Sequence, residues 1–495
     1  MKHLNCLWPY PQKLTLKGQT FTPPQTVALR GEPLNSRLIN DLRQIAGLEL
    51  TDDDTAFPIT YTVCHGMRPE HYTLDIVPDG VIIEVADLRA LGYAIQMLVQ
   101  IALLARSDGG WPCLHIEDWP TFAKRAAMID MGRSVFPMPM LKRLVRVYSR
   151  LRYNQLHLRL FDDELCGVRF EGLPFGSENP YAISLAELAE LVSYAGDYGM
   201  EVVPEIETWG HVTSIVHHRP ELRGGEGMYA GSSFLICPET IDLVRQLTEQ
   251  VVSVMPSKAT IHLGFDEAKW FLAPTMPAGF QPEDLLLRYD DMLQELGAQH
   301  GKRLTMQIWA DHAGRAVAES MRDRVILQPW QYWNALRGKI DEAVERYSGE
   351  DKPRWMMGVG QSMAQYRGAY HATRHFTQQA IDSSNLDGLT VCLWGWNDIS
   401  RMFISLFAGA YFAWNPRSPA PFADTEDYEN FDRHVFPIMC RWQSTFRDAF
   451  PDELDADRGP LVRAGWHMWG KRHGQPVAPT VVASKTEFGH DYLTE

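Results

Sequence analysis

The chain lacks the marks of several large protein classes. No Lys/Arg block interrupts a net charge of −15 over 495 residues, so a phosphate-tracking surface for nucleic acid or for an anionic membrane is not expected. No GxGxxG follows a strand-like run and no P-loop occurs, which removes the common nucleotide-binding architectures. The seven cysteines are scattered, odd in number and free of CxxC spacing. They read as free thiols of a cytoplasmic protein, not as a disulfide framework or a zinc site. The opening segment MKHLNCLWPYPQKL has no apolar core and no small-residue cleavage site, so no secretory leader is expected. No run of about 18 apolar residues suggests a membrane span. Internal repeats and low-complexity tracts are also missing, and the dispersed histidines and absent phosphate loop imply neither a metal nor an organic cofactor.

What is present has two rhythms. Residues 1–118 alternate like strands, as in HYTLDIV and VIIEVAD around the turn Pro78-Asp79-Gly80, and continue into the helical stretch LRALGYAIQMLVQIALLA. This predicts a small α+β domain. From residue 119 to 495, near-continuous apolar runs alternate with amphipathic helices, the sign of parallel strands buried on both faces. The candidate strands are 123–131, 153–161, 200–208, 259–266, 303–311, 324–330, 354–360 and 388–396. Eight strand–helix units predict an α/β fold, a (β/α)8 TIM barrel, followed from about residue 415 by a helical extension. In the first of its helices, Leu141, Leu144, Val145 and Tyr148 form one apolar stripe, read as core packing.

Functional side chains of such a barrel sit at the C-terminal strand ends. Those ends carry Asp130 and Arg133, Asp162 and Asp163, Glu205 and Glu207, His211, Asp266 with Glu267, Trp309 with Asp311, Trp330, and Trp394 with Trp396. Carboxylates and indoles converging on one mouth suit a sugar, whose C–H faces stack on indoles while carboxylates and arginine hold its hydroxyls. Two-carboxylate retaining hydrolysis needs an acid and a nucleophile from different strand ends. The stretch PRWMMGVGQSMAQYRGAYHAT around the seventh strand contains no Asp or Glu. An enzyme nucleophile is therefore missing there, and the adjacent pair Asp266-Glu267 fits hydrolysis in which the substrate's own 2-acetamido group attacks C1.

HLGFDEAKW is similar to the His-x-Gly-Gly-Asp-Glu signature of family-20 glycoside hydrolases, the β-N-acetylhexosaminidases. IDMGRSVFP, RYNQLHLRLFDDE, VVPEIETWGH and FLICP resemble further blocks of that family, in the same order, over about residues 1–410. The resemblance implies an exo-acting, retaining enzyme that removes terminal β-linked N-acetylhexosamine through an oxazolinium intermediate. It gives Glu267 the role of general acid/base, with a raised pKa. Asp266 would orient the acetamido group, and His211 and Asp162 would hold the acid in position. Arg133 would grip the outer hydroxyls, the alternative for it being a salt bridge to Asp130 or Asp162. Trp309, Trp330 and Trp394 would wall the pocket, with Asp311 beside them, and Tyr366 would hydrogen-bond the acetamido oxygen.

The departures from the family pattern bear on substrate preference. Phe265 stands where Gly or Ala is usual and is expected to add bulk beside the pair. Arg159 replaces a second His, Glu207 and Trp209 replace Asp and Pro, and Trp396 replaces the glutamate that contacts far hydroxyls. An altered preference at C4 or C6 is expected, galacto-configured or modified hexosamines included. The alternatives are a glycosidase for a free 2-amino sugar and a carbohydrate-binding barrel without catalysis. Expected partners are an oligosaccharide or glycoconjugate, in a monomer or a homodimer.

Overall fold

The turn at Pro78-Asp79-Gly80 closes a tight antiparallel hairpin, Tyr72–Val77 with Gly80–Val85, in which Val77 pairs with Gly80. Its inward residues Tyr72, Leu74, Ile76, Val81, Ile83 and Val85 are fully buried, as period-two alternation requires of a sheet with one covered face. The computed structural model describes residues 4–22, 24–224, 233–268, 279, 281–312, 321–361, 366–395, 399–418, 431–440, 442, 462–464 and 481–483. The chain divides into two units. The first is Met1–Ala123 with Arg150–Arg152 and Ala410–Leu454, and the second is Lys124–Ser149, Tyr153–Gly409 and Asp455–Glu495.

In the first unit the hairpin lies inside a seven-stranded mixed sheet. The strand order is Lys13–Phe21, Trp111–Asp118, Tyr72–Val77, Gly80–Val85, Phe57–Val63, Thr26–Arg30 and Glu49–Thr51. The helix Leu88–Asp108 packs on it. Asp87 caps its start, accepting from the Ala90 amide at 2.8 Å, and Gly109 ends it in the left-handed region at φ 81°. By length and composition alone this helix could cross a membrane, with a mean hydropathy of 1.6 over Leu88–Arg106. The expectation of no such run is corrected accordingly. The helix is apolar nearly all round because 83% of that window is buried inside the protein.

Asp118 explains why distant pieces of chain belong to this unit. Its buried carboxylate accepts from Tyr72 Oη at 2.6 Å, Arg152 Nη1 at 3.0 Å, Trp414 Nε1 at 2.8 Å and the Gln12 amide at 2.9 Å. Arg152, itself 1% exposed, also faces the Trp414 ring at 4.3 Å.

The second unit is the closed parallel barrel that the apolar runs predict. Its strands, in chain order and in neighbouring order around the barrel, are Lys124–Asp130, Gln155–Arg159, Glu201–Glu205, Lys258–His262, Arg303–Trp309, Val325–Gln328, Arg354–Gln361 and Leu386–Leu393. The eighth pairs with the first, Val391 opposite Ala127. Helices fall between them: Met138–Arg150 carries the stripe Leu141, Leu144, Val145 and Tyr148, all fully buried. Leu185–Asp197 starts on a capping box, Ser184 and Glu187 each satisfying the other's backbone amide. Pro238 and Pro282 open two more helices at positions where a missing N–H costs nothing.

Removing the Asp118 carboxylate leaves Arg152 buried without its counter-ion. Asp118→Ala is expected to destabilise the protein by about 3–5 kcal/mol, seen as an earlier urea transition. A shift of less than about 1 kcal/mol would show that the charge is compensated elsewhere.

Candidate active site

Parallel strands of a closed barrel all end at the same mouth, so residues scattered over some 260 positions of sequence meet there. The turn after the fourth strand carries Gly264, Phe265, Asp266 and Glu267. It winds through the left-handed region at Gly264 (φ 57°), Phe265 (φ 78°) and Glu267 (φ 50°). Gly264 is required, because a Cβ there would lie 2.2 Å from the Glu207 carboxylate. Phe265 has no such freedom and stores strain on the order of 1–2 kcal/mol. Its ring is fully buried, 5.0 Å from Trp209 and 6.0 Å from His312. The expectation that Phe265 adds bulk beside the pair is thus corrected: the bulk lies behind the turn, packed against Trp209, and not in the open mouth.

The pair diverges. Glu267 keeps 34% of its side chain exposed, whereas Asp266 keeps 9% and lies deeper. His211, also in the left-handed region (φ 54°), stands between them. Its Nε2 is 3.2 Å from Glu267 Oε2 and 3.6 Å from Asp266 Oδ2. Its Nδ1 is 3.0 Å from Asp163 Oδ2 and 3.4 Å from Asp162 Oδ1. Burial opposes a charge on this ring, yet Asp162, Asp266 and Asp163 outweigh it and hold the imidazole protonated well above its ordinary range. The imidazolium donates to Asp163 and to Glu267.

That donation corrects the expected state of Glu267. Its hydrogen bond from His211 holds the carboxyl below its usual value, and partial burial does not reverse this. Asp266 moves the other way, raised chiefly by burial. The two adjacent carboxyls are therefore pushed apart, but in the order opposite to an acid at Glu267 and an anion at Asp266.

Asp162, expected with His211 to hold the acid in position, is shared more widely. Its Oδ1 meets Arg133 Nη2 at 2.9 Å and its Oδ2 meets Arg159 Nε at 2.5 Å. Burial would raise it, but Arg133, Arg159 and His211 hold it well below the carboxylate range. Asp163, adjacent in sequence, is the nearer partner of His211 and also accepts from Thr213 Oγ1 at 2.6 Å. Asp163 was legible only as one of two acids after the second strand, because the chain leaves strand register there and alternation no longer tells them apart.

Arg133 takes up the salt bridges that were its alternative reading. It pairs with Asp130 at 3.2 Å, with Asp162, and with Glu164 at 3.6 Å, yet a quarter of its side chain still faces solvent. Burial pushes the Glu164 carboxyl up to about 8 despite Arg133. Asp130 also accepts from the Gly395 amide at 2.9 Å, tying the first strand end to the eighth.

The aromatic residues separate into layers. Trp309 is 1% exposed and gives its indole N–H to Glu205 at 2.6 Å. Trp394 lies above it, ring centroids 5.7 Å apart, with the guanidinium of Arg133 at 5.1 Å from its ring and that of Arg159 at 4.9 Å. Trp330 is partly open, stacks on Tyr332 at 5.3 Å, and donates to Asp311 Oδ1 at 2.8 Å. Tyr332, whose role the sequence left unmarked, completes this cluster. Asp311 Oδ2 accepts from the Glu267 amide at 3.1 Å. Solvent reaches Asp311 at the rim, but the surrounding protein and the Asp266 charge push its carboxyl up to about 7. Trp396 and the side chain of Tyr366 lie outside the described residues; Tyr366 opens the helix Tyr366–Gln379.

Among the described residues, three donor sets bring ligand atoms within 4.8 Å of one another: His157, Glu205 and His262; Asp162, Asp163 and His211; and Glu205, Glu207 and Asp266. Each shares a carboxylate with the Arg159 guanidinium. A divalent ion at any of them would have to displace that cation or sit beside it.

With this geometry in place, the likeness to known proteins is informative. Residues 5–119 match "Glycosyl hydrolase family 20, domain 2" and residues 122–396 match "Glycosyl hydrolase family 20, catalytic domain". A β-hexosaminidase of Akkermansia muciniphila is 27% identical over 227 residues, covering 41% of this chain and 46% of that protein. A β-N-acetylhexosaminidase of Cellulomonas fimi is 30% identical over 223 residues, covering 40% of this chain and 44% of its own. The matched segments thus span less than half the length of these two relatives. A solved chitobiase of Flavobacterium johnsoniae superposes with a TM-score of 0.71 at 20% identity, over 91% of this chain and 74% of that one. By the matches to both domains, the second spanning more than half its residues, the chain belongs to glycosyl hydrolase family 20.

Proposed function

We propose that the protein is a glycoside hydrolase that removes terminal β-linked N-acetylhexosamine with retention, the sugar's acetamido oxygen acting as nucleophile. The observation that carries this reading is the divergent pair at one strand end, Glu267 open to the mouth and Asp266 set 9% exposed beneath it, bridged by the His211 imidazolium. Glu267 protonates the glycosidic oxygen as the acetamido oxygen attacks C1 and the C1–O bond breaks. Asp266 accepts the hydrogen bond of the acetamido N–H and stabilises the cationic oxazolinium. A water then gives its proton to Glu267 and attacks C1, which reopens the five-membered ring and restores the configuration. Trp330 and Trp394, the partly open indoles, support the reading as stacking faces, and Arg133, with one side in solvent, as a ligand for vicinal hydroxyls.

The reactive form needs Asp266 ionised and Glu267 protonated. In the free site burial raises Asp266 and the His211 hydrogen bond lowers Glu267, both of which work against that placement of a shared proton. Bound sugar changes this balance: it excludes water around Glu267 and supplies a donor to Asp266. The two carboxyls titrate as a pair, and only its singly protonated state contains the reactive form. kcat/KM is therefore expected to be bell-shaped with its maximum on the acidic side of neutrality. It falls at low pH as Glu267 and Asp266 both take protons, and at higher pH as both lose them. A profile that rises steadily to pH 8 would contradict the assignment.

Aryl β-N-acetylglucosaminide and its galacto-epimer are the direct substrates to compare. Turnover of either supports hydrolysis and argues against a binding-only barrel. A galacto rate equal to or above the gluco rate fits the preference expected from Trp396 in the far-hydroxyl position. Glu267→Gln is expected to lower kcat by about 10²–10⁴-fold with an activated aryl leaving group. Unchanged turnover would remove Glu267 from the role of acid/base.

A further inference from the structure

The cation at the centre of the mouth is not one of the groups that would touch sugar. Arg159 is fully buried at the end of the second strand. Its Nε meets Asp162 at 2.5 Å, and its Nη1 meets Glu205 at 2.7 Å and Glu207 at 2.6 Å. The remaining nitrogen, Nη2, points toward Asp266 Oδ2 at 3.6 Å and makes no hydrogen bond. On the other side of that gap Asp266 Oδ1 is also buried and without a hydrogen bond, as are both Glu207 oxygens. Buried polar atoms without a hydrogen bond thus face each other across the gap between this guanidinium and Asp266. The Trp394 face, 4.9 Å from the guanidinium carbon, fixes the plane of the fork.

We propose that Arg159 is the positioning residue for Asp266, holding the acetamido-orienting carboxylate from beneath while Glu207 shares the same guanidinium. This rests on the hydrolytic reading above and adds to it a source for the charge and aim of Asp266. The family resemblance places His at position 159 and Asp at position 207. Exchanging both for longer side chains, Arg and Glu, yields one ion pair that reaches the floor of the pocket. His211 cannot do this work alone, because its Nε2 is closer to Glu267 than to Asp266.

Charges of both signs face Asp266. Arg159 and His211 favour its anion, and Glu205 and Glu267 oppose it, while burial holds the neighbouring Glu207 and Asp311 carboxyls up, toward their neutral forms. Around Arg159 itself stand Asp162, Glu205, Glu207 and Asp266. Taking the guanidinium away leaves Asp266 with one cation against those anions, so its proton is bound more tightly. The shared proton then resides less often on Glu267, and the doubly ionised pair forms only at higher pH.

The test is the pH profile of kcat/KM on an aryl β-N-acetylglucosaminide for the wild type, Arg159→Gln and Arg159→Lys, with thermal unfolding of each recorded alongside. Arg159→Gln is expected to lose at least about 10-fold at its optimum and to move its alkaline limb up by at least about one pH unit. Arg159→Lys is expected to return the limb to within about half a unit of the wild type. Lost height with both limbs in place would mean a packing role only and overturn the proposal. Should Arg159→Gln fail to fold, Arg159→His decides in the same way, its limb moving up as the ring loses its charge or staying put against the proposal. An inactive wild type would overturn the hydrolytic reading and this inference with it, whereas an active wild type with an unmoved variant limb overturns the inference alone.

Discussion

A buried guanidinium must be surrounded by anions, because taking a cation out of water costs several kcal/mol unless charge and hydrogen bonds offset it. At Arg159 that constraint is met by the anions of Asp162 and Glu205, with the Glu207 and Asp266 carboxyls beside them, brought in from the second, third and fourth strand ends. The rest of the mouth follows from how those acids are shared. Asp162 also serves Arg133, which reaches out to solvent; Glu205 accepts from Trp309 and His157, which fixes the indole and seals the layer below. Asp266 is left facing upward with one oxygen unsatisfied. One cation inside the barrel is therefore shared by carboxyls of three strand ends that would otherwise repel each other.

The same charge arrangement separates the two members of the pair. Glu267 sits where a protonated His211 can donate to it and where water can reach it, and Asp266 sits where burial dominates. An active site that must keep one carboxyl neutral and its neighbour ionised needs such an asymmetry. In the unliganded site burial raises Asp266 and His211 lowers Glu267, so under the proposed mechanism bound sugar would have to shift that balance.

The barrel was readable because its parallel strands are buried on both faces, and near-continuous apolar runs such as residues 325–327 and 389–393 announce that burial. The adjacent carboxylates, His211 and the indoles were readable because strand ends are fixed by those runs. What lay beyond reach has a common cause: it depends on contacts across elements. Arg159 stood out as a departure from a pattern, but nothing along the chain shows that four acids surround it. Asp163 could not be told from Asp162, since both follow the end of a strand. Phe265 looked like a pocket residue, yet its left-handed backbone turns the ring toward Trp209. The pieces Arg150–Arg152 and Ala410–Leu454 belong with the first unit through partners such as Asp118, far away in sequence.

The central claim is that the substrate supplies its own nucleophile and that Asp266 orients it. The most direct measurement is kcat/KM on aryl β-glucosaminides carrying acetyl, fluoroacetyl, difluoroacetyl and trifluoroacetyl groups on the 2-nitrogen. Each fluorine weakens the amide oxygen as a nucleophile while leaving the leaving group unchanged. The account predicts a steep, progressive fall along the series, and a flatter one in Asp266→Asn once the orienting carboxylate is gone. Rates that do not depend on fluorine content would contradict it and require a nucleophile from the protein.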